Sequence, residues 1–334
     1  MILSCNNGFH LDGVPFALDA SRGVPFAFAS HAHADHCGRH QKLLCTPATA
    51  DLARLRYGRP EFVAVPVGAR AEIDGVGIEL FHAGHVLGSA QMLFMVDGRR
   101  ILYTGDIKLA GGRTAPPAKI PECDILIIEA TYGRPEYVFP PTGEVVEKLA
   151  VLIKRAFMRG LTPVLLAYAL GKAQEVMALL EDQGFRFACH HMVYDIVHVY
   201  RAHGIALSGA ELLDGAKLDN RVVVMPPGMP RYAEWKKIPN PFVIFLSGWA
   251  LDGSRRRSFP DVTLPLSDHA DFPQLLEIVR QTKARQIYTH HGFPDLARAL
   301  QDSGREARHL VRGDSVDLLT ARAADRKADY DLFR

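Results

Sequence analysis

Residues 31–36 read His31-Ala32-His33-Ala34-Asp35-His36, four side chains able to ligate a metal with only alanine between them. Zinc in hydrolytic centres takes imidazole nitrogens and carboxylate oxygens and keeps one position for water. Three histidines and an aspartate on one loop therefore suit half of a site for two neighbouring ions. The plain alternative is a solvated, histidine-rich turn. Against it stands the preceding PFAFAS, residues 25–30, an apolar run that reads as a buried strand. The cluster then sits at a strand end, where functional groups are commonly displayed.

Further candidates lie downstream, each at the end of a strand-like run. They are His85 in HAGHVLGSA, with His82 competing three residues earlier, and Asp106 in YTGD. Glycine beside each lets the backbone turn sharply and approach closely, and a carboxylate such as Asp106 is the ligand type able to bridge two ions. Local chemistry does not choose between His82 and His85. Glu129 ends the buried-strand run DILIIEA, and the block LSDHAD supplies Ser267 and His269. The pair His290-His291 precedes Gly292, and either histidine is a ligand candidate. Asp19 reads equally as a holder of a ligand histidine or as an ordinary turn aspartate. Gly171-Lys172 resembles the tail of a phosphate loop but lacks its earlier glycine and its following Ser/Thr. Nucleoside triphosphate binding is not expected, although Lys172 near a helix start can hold a backbone phosphate. Arg255-Arg256-Arg257 is a basic triplet that would attract a phosphodiester chain at the mouth of a groove. His190, His191, His198 and His203 read as structural or surface residues.

Short strands must position these groups. Runs at 15–20, 25–30, 62–67, 77–81, 90–96 and 100–104 read as strands, the last two flanking the hairpin dipeptide Asp97-Gly98. Thr46-Pro47 starts a helix that stops at Gly58. From residue 144 the period changes to alternating helix and strand, which predicts an inserted α/β unit over about 145–250. A helix over 273–281 and a charged terminal helix or frayed end after residue 322 complete the reading.

The chain has 334 residues, 48% of them hydrophobic, long enough for two domains or one with an insertion. A formal net charge of +2 provides no global field for a polyanion, so contact with nucleic acid must come from a local groove. Five cysteines, at 5, 37, 45, 123 and 189, form no C-x-x-C pair, which together with their odd number argues for reduced thiols and a cytoplasmic setting. No signal-peptide pattern opens the sequence and no run approaches ~18 uninterrupted apolar residues, so no membrane role is expected.

Taken in order, HAHADH, GHVLGSA, TGD, IIEATYG, SDHADF and THHG resemble the metallo-β-lactamase-fold nucleases of the β-CASP group, and the resemblance spans nearly the whole chain. YALGKAQEVMALL and FLSGWALDGSRRR resemble its bacterial branch of ligase-associated DNA exonucleases and mRNA 3′-end processing factor-like proteins. The resemblance implies a four-layer αββα sandwich, residues 1–144 and 251–334, with a β-CASP cap inserted at 145–250 and an active site in the cleft between them. It makes His31, His33 and His85 ligands of one zinc, Asp35 and His36 ligands of the other, and Asp106 their bridge. It selects His85 over His82, and His291 as the last ligand because that histidine directly precedes a glycine. Glu129 matches the acidic residue closing the hydrolase half, His269 the histidine beside the scissile phosphate, and Asp19 an early structural aspartate.

The expected reaction is phosphodiester hydrolysis by a hydroxide held between two zinc ions, with manganese as a possible substitute. Asp35, His269 and Glu129 are the catalytic candidates, and Ser267, Lys172, Arg255 and Arg256 the substrate-binding ones. The expected partner is a DNA or RNA strand cut as an exonuclease substrate, with a DNA-repair ligase as an associated protein. The last-ligand histidine is typical of the RNA-processing branches, whereas the bacterial branch is a DNA one, so the polymer stays open. Two other readings stand beside this one: a hydrolase of a small ester, thioester or lactam, and a non-catalytic scaffold. The cap-like insertion disfavours the first, and a full set of competent ligand residues disfavours the second.

Overall fold

The computed structural model describes residues 1–58, 60–228, 232–252 and 260–318. The described residues form two compact units: those within 1–111, 115–138 and 269–318 make the first, those within 112–114 and 139–268 the second.

Two seven-stranded sheets form the first unit. In spatial order, one runs Ser315–Asp317, Ile2–Asn6, Gly8–Leu11, Ala17–Leu18, Phe26–Phe28, Lys42–Cys45 and Glu61–Ala64. The other runs Glu306–His309, Gln286–Gly292, Ile125–Ala130, Arg99–Tyr103, Ala90–Val96, Val76–His82 and Arg70–Ile73. Both are parallel in one half and antiparallel in the other. Their facing sides share one core, in which Leu3, Phe9, Leu18 and Phe28 from the first sheet pack with Leu80, Met92, Phe94 and Ile127 from the second.

Helices cover the outer faces. Pro47–Tyr57, capped by the Thr46 hydroxyl, buries Ala50 and Ala53 against Ala27, Leu43 and Cys45. Phe272–Thr282 and Asp295–Asp302 bury Leu275, Ile278, Leu296 and Leu300 against Leu102, Leu126 and Ile128. The layers are thus helix, sheet, sheet, helix, the αββα sandwich expected. The Asp97-Gly98 hairpin forms with both residues at positive φ, as its tight turn requires.

In the second unit six parallel strands lie in the order Ala210–Leu212, Arg186–Cys189, Arg221–Met225, Thr162–Leu166, Pro241–Leu246 and Val262–Leu264. Continuous apolar runs such as Val222 to Met225 are fully buried, as parallel strands covered on both faces demand. Thr142–Met158, Lys172–Glu181 and His191–Ala202 are its α-helices among the described residues. Val262–Leu264 pairs with Pro241–Leu246, so this sheet continues past the boundary at residue 250 expected from sequence. The tail after residue 322 and the triplet at 255–257 lie outside the described residues. No helix among those described is long and apolar enough to cross a membrane.

Candidate metal centre

Arg99–Tyr103, Ile125–Ala130 and Gln286–Gly292 are neighbouring parallel strands, so their carboxyl ends share one edge of the sheet. Asp106, Glu129 and His291 lie at that edge, the place where parallel sheets usually assemble sites. The loop 31–36 follows Phe26–Phe28 of the facing sheet.

The buried carboxylate of Asp106 faces a different histidine group with each oxygen. Oδ2 lies 3.6 Å from Nε2 of His31 and 3.7 Å from Nε2 of His85. His33 Nδ1 closes that group, 2.9 Å from His31 Nε2 and 3.2 Å from His85 Nε2. Oδ1 lies 3.3 Å from Nε2 of His36 and 3.9 Å from Nδ1 of His291. Asp35 Oδ2 is 3.7 Å from His36 Nε2. One donor atom each from His31, His33, His85 and Asp106 falls within 4.8 Å of the others, and so does one each from Asp35, His36 and His291. His82 belongs to no such group among the described residues.

His36 Nε2 and Asp106 Oδ1 are buried without a hydrogen-bond partner. Two orphaned polar atoms turned towards each other are costly unless a cation sits between them, and nitrogen with carboxylate oxygen is a donor set that zinc accepts. The charges agree. Burial first, then the neighbouring imidazoles, push His31 well below its ordinary range, so it is neutral with a lone pair to give. Burial alone would lower His36 too, but the carboxylates of Asp106 and Asp19 outweigh it and raise it to about 10. Burial above all raises Asp106.

Asp19 holds the loop. Its Oδ1 accepts the Ser30 amide at 2.6 Å, and its Oδ2 accepts the Ser30 hydroxyl at 2.6 Å, the Tyr103 hydroxyl at 2.8 Å and His36 Nδ1 at 2.7 Å. Both oxygens are thereby occupied, which makes Asp19 a holder of ligands rather than one of them. Burial and then the Asp19 charge raise the Tyr103 phenol well above its usual range, so it stays a donor. Nothing in local spacing singles out Tyr103, whereas Ser30 is betrayed by adjoining His31. The turn carrying His85 is tied by Ser89, whose hydroxyl accepts the amides of His85 and Val86, both at 3.1 Å.

A β-bulge separates His290 from His291. Glu129 pairs with His290 and Ala130 with Gly292, leaving His291 as the extra residue, at a φ of 52°. The bulge turns His291 towards Asp106 and sends His290 into the core between Phe9 and Tyr103, at ring distances of 4.8 and 5.7 Å. Gly292 permits it, since a Cβ there would strike the Ala130 carbonyl.

Beside this centre, His269 Nδ1 lies 3.0 Å from both oxygens of Glu129 and 4.0 Å from Asp106 Oδ2. The Ile107 amide donates to Glu129 Oε1 at 2.6 Å. Burial would raise Glu129, but His269 outweighs it and the carboxyl stays below its usual range.

The substrate-binding candidates fare differently. Ser267 is buried. Lys172 does not offer its charge to a phosphate: its buried ammonium bonds Asp268 Oδ2 at 2.9 Å and the Leu266 carbonyl at 3.0 Å. Arg255 and Arg256 lie outside the described residues. A further grouping in the second unit, His190, His191 and Glu234, has ligand-like spacing. There, however, His190 Nδ1 accepts the Met192 amide, which puts its proton on Nε2, the nitrogen nearer Glu234.

Comparison with known proteins also points to a metallo-hydrolase. A family model described as the Zn-dependent metallo-hydrolase RNA specificity domain matches residues 262–312. A protein of Opitutus terrae named "Probable DNA ligase" is 36% identical over 320 residues, covering 94% of this chain and 31% of that protein. An "RNase J-like protein" of Methanocaldococcus jannaschii is 30% identical over 207 residues, covering 54% of this chain and 49% of that one. "RNase aCSPSF2" of Saccharolobus solfataricus is 24% identical over 365 residues, 87% of this chain and 74% of its own. The matched stretch thus spans about a third of the first relative and about half of the second. With the αββα sandwich and the histidine-aspartate cluster beside these matches, the chain belongs to the β-CASP metallo-β-lactamase nuclease family.

Proposed function

We propose that the chain is a metal-dependent exonuclease that hydrolyses phosphodiester bonds of a nucleic-acid strand and works with two zinc ions, which manganese can replace. The observation behind this reading is the division of the Asp106 carboxylate between two donor groups. His31, His33 and His85 would hold one ion, Asp35, His36 and His291 the other, and Asp106 both. When bound, such a pair lowers the pKa of a water towards ~7 and offsets charge on the phosphoryl oxygens.

The chain's own groups do the rest. Glu129 accepts Nδ1–H of His269 and holds the ring in one orientation, so Nε2 is the atom that passes a proton to the leaving oxygen. Asp35, whose exposed carboxylate lies 3.7 Å from His36 Nε2, takes the proton of the attacking water. Ser267, two residues before His269, is the proposed contact to a phosphoryl oxygen.

DNA is the favoured polymer, because the relative matched over 94% of this chain carries the name of a DNA ligase. The same match supports a ligase as functional partner. The names of the other two relatives and of the family model speak for RNA, the alternative polymer. Five free cysteines fit a reducing, cytoplasmic setting.

The test is digestion of end-labelled single-stranded DNA and RNA, beside a thioester, by zinc- or manganese-loaded protein. A stepwise product ladder on a polymer is expected, stronger on DNA. Thioester turnover with both polymers intact would overturn the reading.

A further inference from the structure

A carboxylate accepts hydrogen bonds and cannot donate them, so the bonds into Asp19 have fixed directions. The Ser30 amide, the Ser30 hydroxyl, the Tyr103 hydroxyl and His36 Nδ1–H all donate. Ser30 has one hydroxyl proton and gives it to Asp19 at 2.6 Å. It can therefore meet His31 Nδ1, 3.0 Å away, only as an acceptor. His31 then carries its proton on Nδ1, and the Nε2 lone pair is left facing Asp106 Oδ2.

We propose that Ser30 is a positioning residue that extends the hold of Asp19 from His36 to His31, so that one buried carboxylate sets the metal-facing tautomer of a histidine in each donor group. The proposal rests on the two-metal reading above. Asp19, Ser30, His31 and His36 are all buried, so bulk water does not compete for these bonds. Gly105 leaves the hydroxyl its room, because a Cβ there would strike Ser30 Cβ and Oγ. This accounts for a glycine directly before Asp106 in physical terms: the turn that delivers the shared carboxylate must also leave room for the relay.

Ser30→Ala tests it, since the amide bond to Asp19 Oδ1 survives and only the hydroxyl is removed. In competition with a chromophoric chelator, one of the two zinc equivalents should weaken roughly 10–100-fold while the other keeps its affinity. Asp19→Asn should weaken both. In ¹⁵N imidazole spectra of the metal-free wild type, His31 should be protonated on Nδ1, and in Ser30→Ala that preference should become mixed. Unchanged affinity for both equivalents, equal weakening of both, or a wild-type His31 protonated on Nε2 would overturn the proposal. If zinc binding depends on Ser30 but the protein cuts neither polymer, the nuclease reading alone fails. If the wild type binds fewer than two zincs, the two-metal reading fails, and the ¹⁵N spectra still decide the tautomer.

Discussion

Nδ1 of His269 lies 3.0 Å from each oxygen of Glu129, whose carboxyl is fully buried and held ionised by that contact. The pair adjoins the donor cluster, 4.0 Å from Asp106 Oδ2, without being one of the histidines that surround that carboxylate most closely. His269→Ala should therefore keep the metal content of the wild type by elemental analysis and lose roughly 10²–10⁴-fold in turnover of a labelled oligonucleotide. Asp106→Ala should lose metal as well as turnover. Equal zinc content in the two variants would contradict this separation of roles.

His36 gives the metal site a pH dependence of defined sign. Its pKa in the folded, metal-free chain is raised from the usual 6.5 to about 10 by Asp106 and Asp19, against the effect of burial. The contribution of His36 to metal-free stability is thus complete below about pH 6.5 and is lost as pH rises through 10. Zinc needs the unprotonated nitrogen, so uptake at pH 7 to 8 should expel this proton and tighten as pH rises. Titration in a weakly buffered indicator solution should show protons released on adding zinc, and His36→Gln should release fewer.

Adjacent histidines should respond in opposite ways. His290 is packed between Phe9 and Tyr103, and His290→Ala should cost about 2 kcal/mol or more in denaturant unfolding of the metal-free protein. His291 is exposed and sits on the bulge, so His291→Ala should leave that stability nearly unchanged and lower zinc content. Gly292→Ala forces a side chain into the Ala130 carbonyl at positive φ and should destabilise by about 1–3 kcal/mol. A stability loss at His291 matching that at His290 would show that the bulge is not what separates them.

The sequence makes the candidate residues legible where they are local. The loop 31–36 announces itself because its ligand types are consecutive, and Asp106 and Glu129 because each ends an apolar run. The choice between His290 and His291 is not local: it depends on a bulge in the pairing with Ile125–Ala130, which spacing within one strand does not encode. The role of Lys172 was hidden for the same reason, since its partner carbonyl at Leu266 is 94 residues away. Helix and sheet order followed the apolar period, whereas short strands with half-exposed faces, such as Arg70–Ile73 and Glu306–His309, carry too few buried residues to show one.

The thiols offer a test of the core around the loop. Burial raises Cys37, Cys123 and Cys189 each to about 12, while half-buried Cys5 is raised less, by burial and by Asp314. Thiolate is the reactive form, so an aromatic disulfide reagent at pH 8 should modify Cys5 first and leave the others until the protein unfolds. Prompt labelling of Cys37 would mean that the loop beside His36 opens in the native state.

Lys172 and Asp268 form an ion pair buried on both sides, 2.9 Å apart. Removing one partner of a buried ion pair typically costs about 3–5 kcal/mol, whereas replacing both with apolar residues of similar volume is often neutral. Lys172→Met and Asp268→Leu should each lower the unfolding midpoint strongly, and the double variant should recover most of the loss. Because the ammonium is engaged inside the second unit, Lys172→Met should also leave the salt dependence of oligonucleotide binding unchanged. A shallower slope would instead mark Lys172 as a phosphate contact, since each cation that neutralises a phosphate contributes roughly 0.7 to the slope on a single strand.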